Sequence, residues 1–313
     1  MNERIIDPID IGLIESELTA DTLLRHTNKG GNHIYVVEAD KAPNVMREIG
    51  RLREIAFRAA GGGTGKDCDI DLYDTMTPPC RQLIVWDPDS KLILGGYRFI
   101  TGSNIRINPD GTPRIATAHM FRFSDRFINE FLPSTIELGR SFVRLEYQSS
   151  RAGAKALYVL DNLWDGLGAL TVIHPEIRYF FGKVTMYPNY SRECRNMILY
   201  FLEKHFPDRD NLVTPISPLR TDMDVERMAA MFTGNSFADD YKTLNKVVRS
   251  YGLNIPPLVN AYMSLSPSMR TFGTAINDEF GDVEETGIFI AFSDILEEKK
   301  KRHISTFTQN IIQ

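Results

Sequence analysis

Cysteine is scarce in this chain, with only Cys68, Cys80 and Cys194 among 313 residues. Their positions fit neither a disulfide framework nor a metal-ligand spacing, so a reducing cytoplasm is the expected setting. The six histidines are scattered and form no HxxxH pair, which argues against zinc or another bound metal. No apolar run approaches the roughly 18 residues that a membrane span requires. The opening "MNERIIDPID" carries charges where a signal peptide needs an apolar stretch. Basic residues are not in excess either: 36 Lys and Arg against 41 Asp and Glu leave a net charge of −5. With no RNA- or DNA-binding motif to override it, that balance excludes a general nucleic-acid binder.

What is present is ordinary for a folded protein, 42% apolar and 25% charged. The length allows one large domain or two modest ones. Residues 13–27 predict a short amphipathic helix and "NHIYVVEAD" a first strand. A helix follows over 43–60, with Val45, Ile49, Leu52 and Ala56 on one face, Pro43 at its start and Gly61 at its C-cap. "RQLIVWD" and "KLILGGYRF" read as a hairpin joined by "PDS". "RINPDGTPRIAT" is a turn and "STIELGRSFVRLEY" a long strand. "GAKALYVLDNLWDGLGAL" is a helix with Leu157, Leu160, Trp164 and Leu167 on one stripe. "RYFFGKVTMY" is a strand, "SRECRNMILYFLEKHF" a helix, "FADDYKTLNKVVRSYG" a helix and "TGIFIAFSDI" a strand. The charged "EEKKKRH" at 297–303 reads as a solvated tail. The fold class expected is α/β (α+β), a mixed central sheet flanked by helices. The polar, proline-bearing stretch 206–225 divides a core, 1–205, from an extension, 206–313, that completes the sheet.

The run "GGGTGK" at 61–66 resembles half of a phosphate-binding loop. The first glycine slot holds Ala60, however, and Asp67 replaces the hydroxyl that holds magnesium. A helix precedes the run where a strand is needed, and Asp67, Asp69, Asp71 and Asp74 behind it repel a triphosphate. A calcium loop fails too, because Leu72 and Pro78 occupy its glycine and glutamate positions. The glycines read as a flexible connector, and the aspartates carry the information.

Three stretches, "LREIAFRAAGGGTGKDCDIDLYD", "LILGGYRF" and "IELGRSFV", resemble the amino-acid N-acyltransferases of the GNAT superfamily, often labelled hemolysin-like. The similarity is nearest to the glycine lipid N-acyltransferases of Bacteroidetes, then to ornithine N-acyltransferases, and distantly to acyl-homoserine lactone synthases. It spans most of the chain. The resemblance implies transfer of a long, 3-hydroxylated acyl group from an acyl carrier protein thioester to an amino-acid amine. Glycine is the first acceptor to consider, with ornithine or another amine as the alternative. No cofactor beyond the acyl carrier protein or CoA thioester is implied. The chain lacks the lactone synthases' tryptophan before the aspartates, where the glycine run sits instead. The usual acetyltransferase pyrophosphate loop is degraded to "QSSRAGAK", which fits an acyl carrier protein donor better than acetyl-CoA. A non-catalytic acyl- or carrier-binding protein is the competing class. A lytic protein is disfavoured, since no membrane span or basic amphipathic helix is present, and only peripheral membrane contact is left open.

Carried over by position, the resemblance singles out Arg53 and Phe57, then Asp71 and Asp74, Arg98, and Glu137 with Arg140. N-acylation needs an unprotonated amine, so Glu137 is the candidate general base. In a regular strand Glu137 and Arg140 point to opposite faces; a bulge at Leu138–Gly139 would unite them. Arg53, Arg98, Asp71, Asp74 and Arg140 either position the acceptor or form a structural ion network. Phe57, Trp86 and Trp164 are core residues before they are substrate walls. Ser141, Val143, Arg144, Arg151 and Lys155 form the expected donor side, with Ser141 either protonating the thiol or capping a strand edge.

Overall fold

The computed structural model describes residues 2–148 and 154–307, with side chains outside 154–157. Its frame is an eight-stranded sheet. The amino-terminal strands are β1 (Leu23–His26), β2 (His33–Val37), β3 (Arg81–Asp87) and β4 (Leu92–Thr101). A short β5 (Phe121–Phe123) precedes β6 (Thr135–Val143) and β7 (Tyr179–Met186), then come β8 (Val213–Pro215), β9 (Arg270–Asn277) and β10 (Val283–Ala291). The order in the large sheet is β1-β2-β3-β4-β6-β7-β10-β9, and β5 pairs with β8 separately. Strands from both ends of the chain therefore share one sheet.

All neighbours in the large sheet are antiparallel except β6 and β7. That parallel ladder joins Thr135–Glu137 to Tyr179–Phe181 and stops there. Beyond Glu137, β6 and β7 run on without pairing to each other. The exposed peptide groups along this opening need other partners.

The helices are α1 (Ile11–Glu17), α2 (Pro43–Ala60), α3 (Leu72–Thr75), α4 (Ala154–Ile173), α5 (Arg192–His205), α6 (Val225–Met231), α7 (Phe237–Ser250), α8 (Pro257–Met263) and α9 (Glu297–His303). α2 forms for the expected reasons, with Pro43 in its first turn and Gly61 ending it at φ 97°. Its apolar stripe packs on Ile84, Trp86, Ile93 and Phe142 of one sheet face. The opposite face carries α4 and α5 against Leu83, Val85, Phe99 and Leu138. A third apolar layer, including Phe121, Phe127, Phe181 and Phe289, covers the rest of the α2 face beside Ile100. The polar site lies where α2 ends and this layer begins.

Three expectations are corrected. Residues 13–27 are not one helix: α1 stops at Glu17, and 23–26 pair with β2 as an edge strand. Thr19 and Thr22 hydrogen-bond across the break and turn the chain. "NHIYVVEAD" is thus the second strand. The run 297–303 is not a solvated tail but α9, packed on α4 with His303 buried against Asp165 at 2.8 Å. Strand β9, which no sequence expectation covers, forms the far edge. Trp86 and Phe57 are buried in the α2 layer, as core residues should be. Among the described residues, no helix is long and apolar enough to cross a membrane.

Candidate active site

The aspartate loop is laid over the start of the site by a close backbone approach. A Cβ at Gly50 of α2 would lie 2.5 Å from Cys68 Sγ, so only glycine lets residues 68–70 cross there. The Asp69 N–H donates to the Gly50 carbonyl at 3.1 Å, which fixes the crossing. Asp71 then caps α3, accepting from the Tyr73 N–H at 2.8 Å. Its other task is ionic: Arg98 Nη1 donates to both Asp71 oxygens at 2.7 Å.

Asp74, fully buried, sits between two arginines, 3.3 Å from Arg53 and 3.4 Å from Arg98. Gln82 Nε2 donates to it at 2.9 Å, and Arg53 Nη2 donates to Gln82. Arg140 completes the network, 2.9 Å from Asp69 and 3.4 Å from Asp71. Its guanidinium lies 4.4 Å from the Phe280 ring centre, and Phe57 packs edge-on against that same ring. Phe57 thus supports Arg140 through Phe280. Burial pushes the Asp71 carboxyl up, but Arg98 and Arg140 more than reverse it, so Asp71 stays ionised well below the usual carboxylate range.

The glycine run is a tied loop rather than a free connector. The Thr64 and Gly65 N–H groups donate to Glu54 at 3.1 and 2.8 Å, and Arg58 donates to it at 2.6 Å. Amides aimed at an internal glutamate do not cradle a phosphate.

Glu137 and Arg140 do share a face, through a bulge at a different place. Opposite β4, Gly96 pairs with Phe142 and Arg98 with Gly139, so β6 carries one extra residue between them. The bulge is at Arg140–Ser141, not Leu138–Gly139, and Arg140 takes the left-handed conformation at φ 47°. Gly139 keeps its ordinary pairing. The ion pairs to Asp69 and Asp71 and the Phe280 ring hold Arg140 in this uncommon backbone state.

Glu137 is 2% exposed, yet its carboxylate makes no ion pair within 4.0 Å among the described residues. Thr117 Oγ1 donates to it at 3.5 Å, the outer limit of a hydrogen bond. Burial raises its pKa, while Arg98 and Lys183 oppose the rise. A carboxylate whose pKa is raised in this way holds a proton more readily than an exposed one. It lies at the point where the β6–β7 ladder ends.

Several polar residues here escape a reading by motif. Lys183 on β7 is largely enclosed and ion-paired to the buried Glu285 on β10, and Thr185 and Asn277 donate to Glu285 at 3.0 and 2.9 Å. His119 Nε2 lies 3.2 Å from Asn277 Oδ1. Burial lowers the Lys183 pKa, with Glu285 resisting. Arg98, Glu137, Lys183 and Glu285 thus stand on four successive strands with alternating charge. The available signals were a lone lysine inside the apolar "FFGKVTM" and the paired acids of "VEETG".

Of the donor-side residues, Ser141, Val143 and Arg144 each have separate partners. Ser141 faces the Tyr97 hydroxyl on the opposite side of the bulge, and that hydroxyl lies 3.4 Å from that of Tyr262. Val143 ends β6, and its carbonyl accepts from Gln148 Nε2 at 2.7 Å. Arg144 pairs with Glu146 at 3.2 Å. Arg151 lies outside the described residues; Lys155 is in the first turn of α4, and its side chain lies outside them too.

Residues 52–157 match the family model of the acetyltransferase (GNAT) domain. The chain is 63% identical over 308 residues to a glycine N(alpha)-acyltransferase of Bacteroides thetaiotaomicron, covering 98% of this chain and 91% of that protein. It is 61% identical over 307 residues to a glycine N(alpha)-acyltransferase of Phocaeicola vulgatus, covering 98% and 94%. The crystal structure of the AHL synthase LasI is a remote likeness, with TM-score 0.42 and 11% identity over 88% of this chain and 96% of that one. High identity along nearly the whole length of both proteins places the chain in their family. This chain belongs to the glycine N(alpha)-acyltransferases and is an acyltransferase of the GNAT superfamily.

Proposed function

We propose that the protein transfers a long 3-hydroxylated acyl group from an acyl carrier protein thioester to the amine of glycine. The observation that carries the mechanism is Glu137, a buried carboxylate with no ion pair among the described residues, where β6 and β7 part. Glycine's amine arrives protonated at neutral pH. Glu137 takes one proton, and the freed lone pair attacks the thioester carbonyl carbon. The carbon–oxygen double bond opens to an oxyanion, whose stabilisation we assign to backbone N–H groups around the Arg140 bulge. Collapse of this intermediate breaks the carbon–sulfur bond. The thiolate leaves and takes up the second ammonium proton as the thiol, an amide remains, and Glu137 releases its proton to solvent. The unpaired edges of β6 and β7 past Glu137 can take the donor's pantetheine arm as an added strand.

The test is direct. Purified protein is incubated with acyl carrier protein or CoA thioesters of several lengths, with glycine, ornithine and other amines, and products are read by mass. N-acyl glycine from the carrier-bound long chain is expected. Ornithine as the sole acceptor overturns the glycine reading, and turnover of the CoA thioester alone overturns the carrier reading.

The carrier protein is expected to be acidic, so it needs a basic contact, and Arg144, Arg151 and Lys155 are the candidates. Lys155→Glu is expected to raise the KM for the acyl carrier protein severalfold, as is high salt, with the KM for glycine unchanged. An unchanged carrier KM removes this docking residue.

A further inference from the structure

Gly139 stands between the proposed base and the ionic network, and its missing side chain leaves usable space. Among the described residues other than its two chain neighbours, a Cβ built there meets one heavy atom within 4 Å, Arg98 Nε at 4.0 Å. The residue is half-buried, so a small molecule can reach it. Its φ is not in the left-handed region, and nothing crowds the position. Neither backbone strain nor close packing therefore requires glycine here, in contrast to Gly50. A second observation concerns Arg98, which is 1% exposed. Its Nη1 is engaged by Asp71 and Asp74, but its Nε–H finds no acceptor among the described residues. A buried guanidinium N–H without a partner is costly.

We infer that Gly139 and Arg98 Nε together form the subsite for the carboxylate of the amino-acid acceptor. The inference rests on the acceptor reading above and deepens it. An acceptor carboxylate oxygen over Gly139 accepts from Arg98 Nε–H in a charge-assisted bond. Two positions earlier on the same strand face, Glu137 then receives the ammonium end. Glycine has one carbon between these two charged ends, which suits such a short span. The bulge at Arg140, one residue on, sits at the donor's side of the same space. A methyl group at position 139 occupies the place of the carboxylate without disturbing the fold.

The experiment compares parent, Gly139→Ala and Gly139→Ser for melting temperature, kcat, donor KM and acceptor KM, using glycine and glycinamide as acceptors. In both variants the KM for glycine is expected to rise about tenfold or more, the cost of losing a hydrogen bond between charged groups. Melting temperature and donor KM should stay at parental values. Glycinamide, which has no carboxylate, should be a poor acceptor for the parent and lose little further in the variants. Unchanged glycine KM in Gly139→Ala overturns the inference, and so does a rise confined to the donor KM. If the parent acylates a different amino acid instead, the glycine reading fails. The same variants then test the subsite with that amino acid and its amide.

Discussion

Replacing Glu137 by glutamine is expected to lower kcat by about a hundred- to ten-thousandfold, the range typical of losing a general base. Glutamine keeps the shape and the Thr117 contact but cannot take a proton. The environment adds a pH signature. Burial raises the Glu137 pKa, so in the parent the rate should climb with pH until this elevated pKa is passed. That limb should vanish in the variant. Its defect should shrink at alkaline pH, where more amine is already unprotonated. The stability sign follows from the same shift. A carboxyl with a raised folded pKa favours the fold while protonated, and this advantage is lost as pH rises from the unfolded value through the folded one. Removing the charge therefore should not destabilise the protein at neutral pH. Arg140 does not depend on Glu137, since it pairs with Asp69 and Asp71. Parental kcat in Glu137→Gln at neutral pH would exclude the base role, and a melting temperature well below the parent's would assign Glu137 a structural one.

The elements that the sequence marks clearly are those with strong local punctuation. α2 has proline at its start, glycine at its end and an apolar stripe between, and its bounds are as read. The β3–β4 hairpin is likewise as read. Failures fall where tertiary contacts decide. Residues 23–26 are too few to show a period, and they become a strand only because β2 offers an edge. The charges of 297–303 look solvated until His303 meets Asp165 across 138 residues. The site was legible in the same uneven way. Arg53, Asp71, Asp74, Arg98 and Arg140 do meet in one network, because a motif marks each of them. Lys183, Glu285 and Asn277 carry no motif and meet only through the β7-β10-β9 order. Side-chain parity asks only for a bulge between Glu137 and Arg140; ionic contacts hold Arg140 in the left-handed state, so Gly139 remains regular. That placement frees Gly139 for another use.

Asp74→Ala is expected to be the most destabilising single change in the site, by about 3–5 kcal/mol, the usual cost of removing one partner from a buried ion pair. Asp74 and Arg53 are both essentially inaccessible, and Asp74 also lies 3.4 Å from Arg98 and accepts from Gln82. Its loss leaves the Arg53 guanidinium facing only Gln82, with Nε already lacking a partner among the described residues. α3 loses a support as well, because the Asp71 N–H donates to Asp74 at 3.0 Å. Most of the penalty is an uncompensated buried charge, so a second change should recover part of it. Arg53→Leu in the Asp74→Leu background removes that charge and fills space with apolar atoms. Denaturant midpoints of the two single variants and the double variant therefore should not add, and the double should be more stable than Asp74→Leu alone. Acid should act on the same loop through Asp71, whose folded pKa is depressed by Arg98 and Arg140. The stability it contributes is present above the ordinary carboxylate range, about pH 4, and is lost as pH falls below it. Asp71→Asn should flatten that part of the acid profile. A parental denaturant midpoint in Asp74→Ala would mean that the network contributes little to the fold. Its arginines and aspartates would then be held for the acceptor alone.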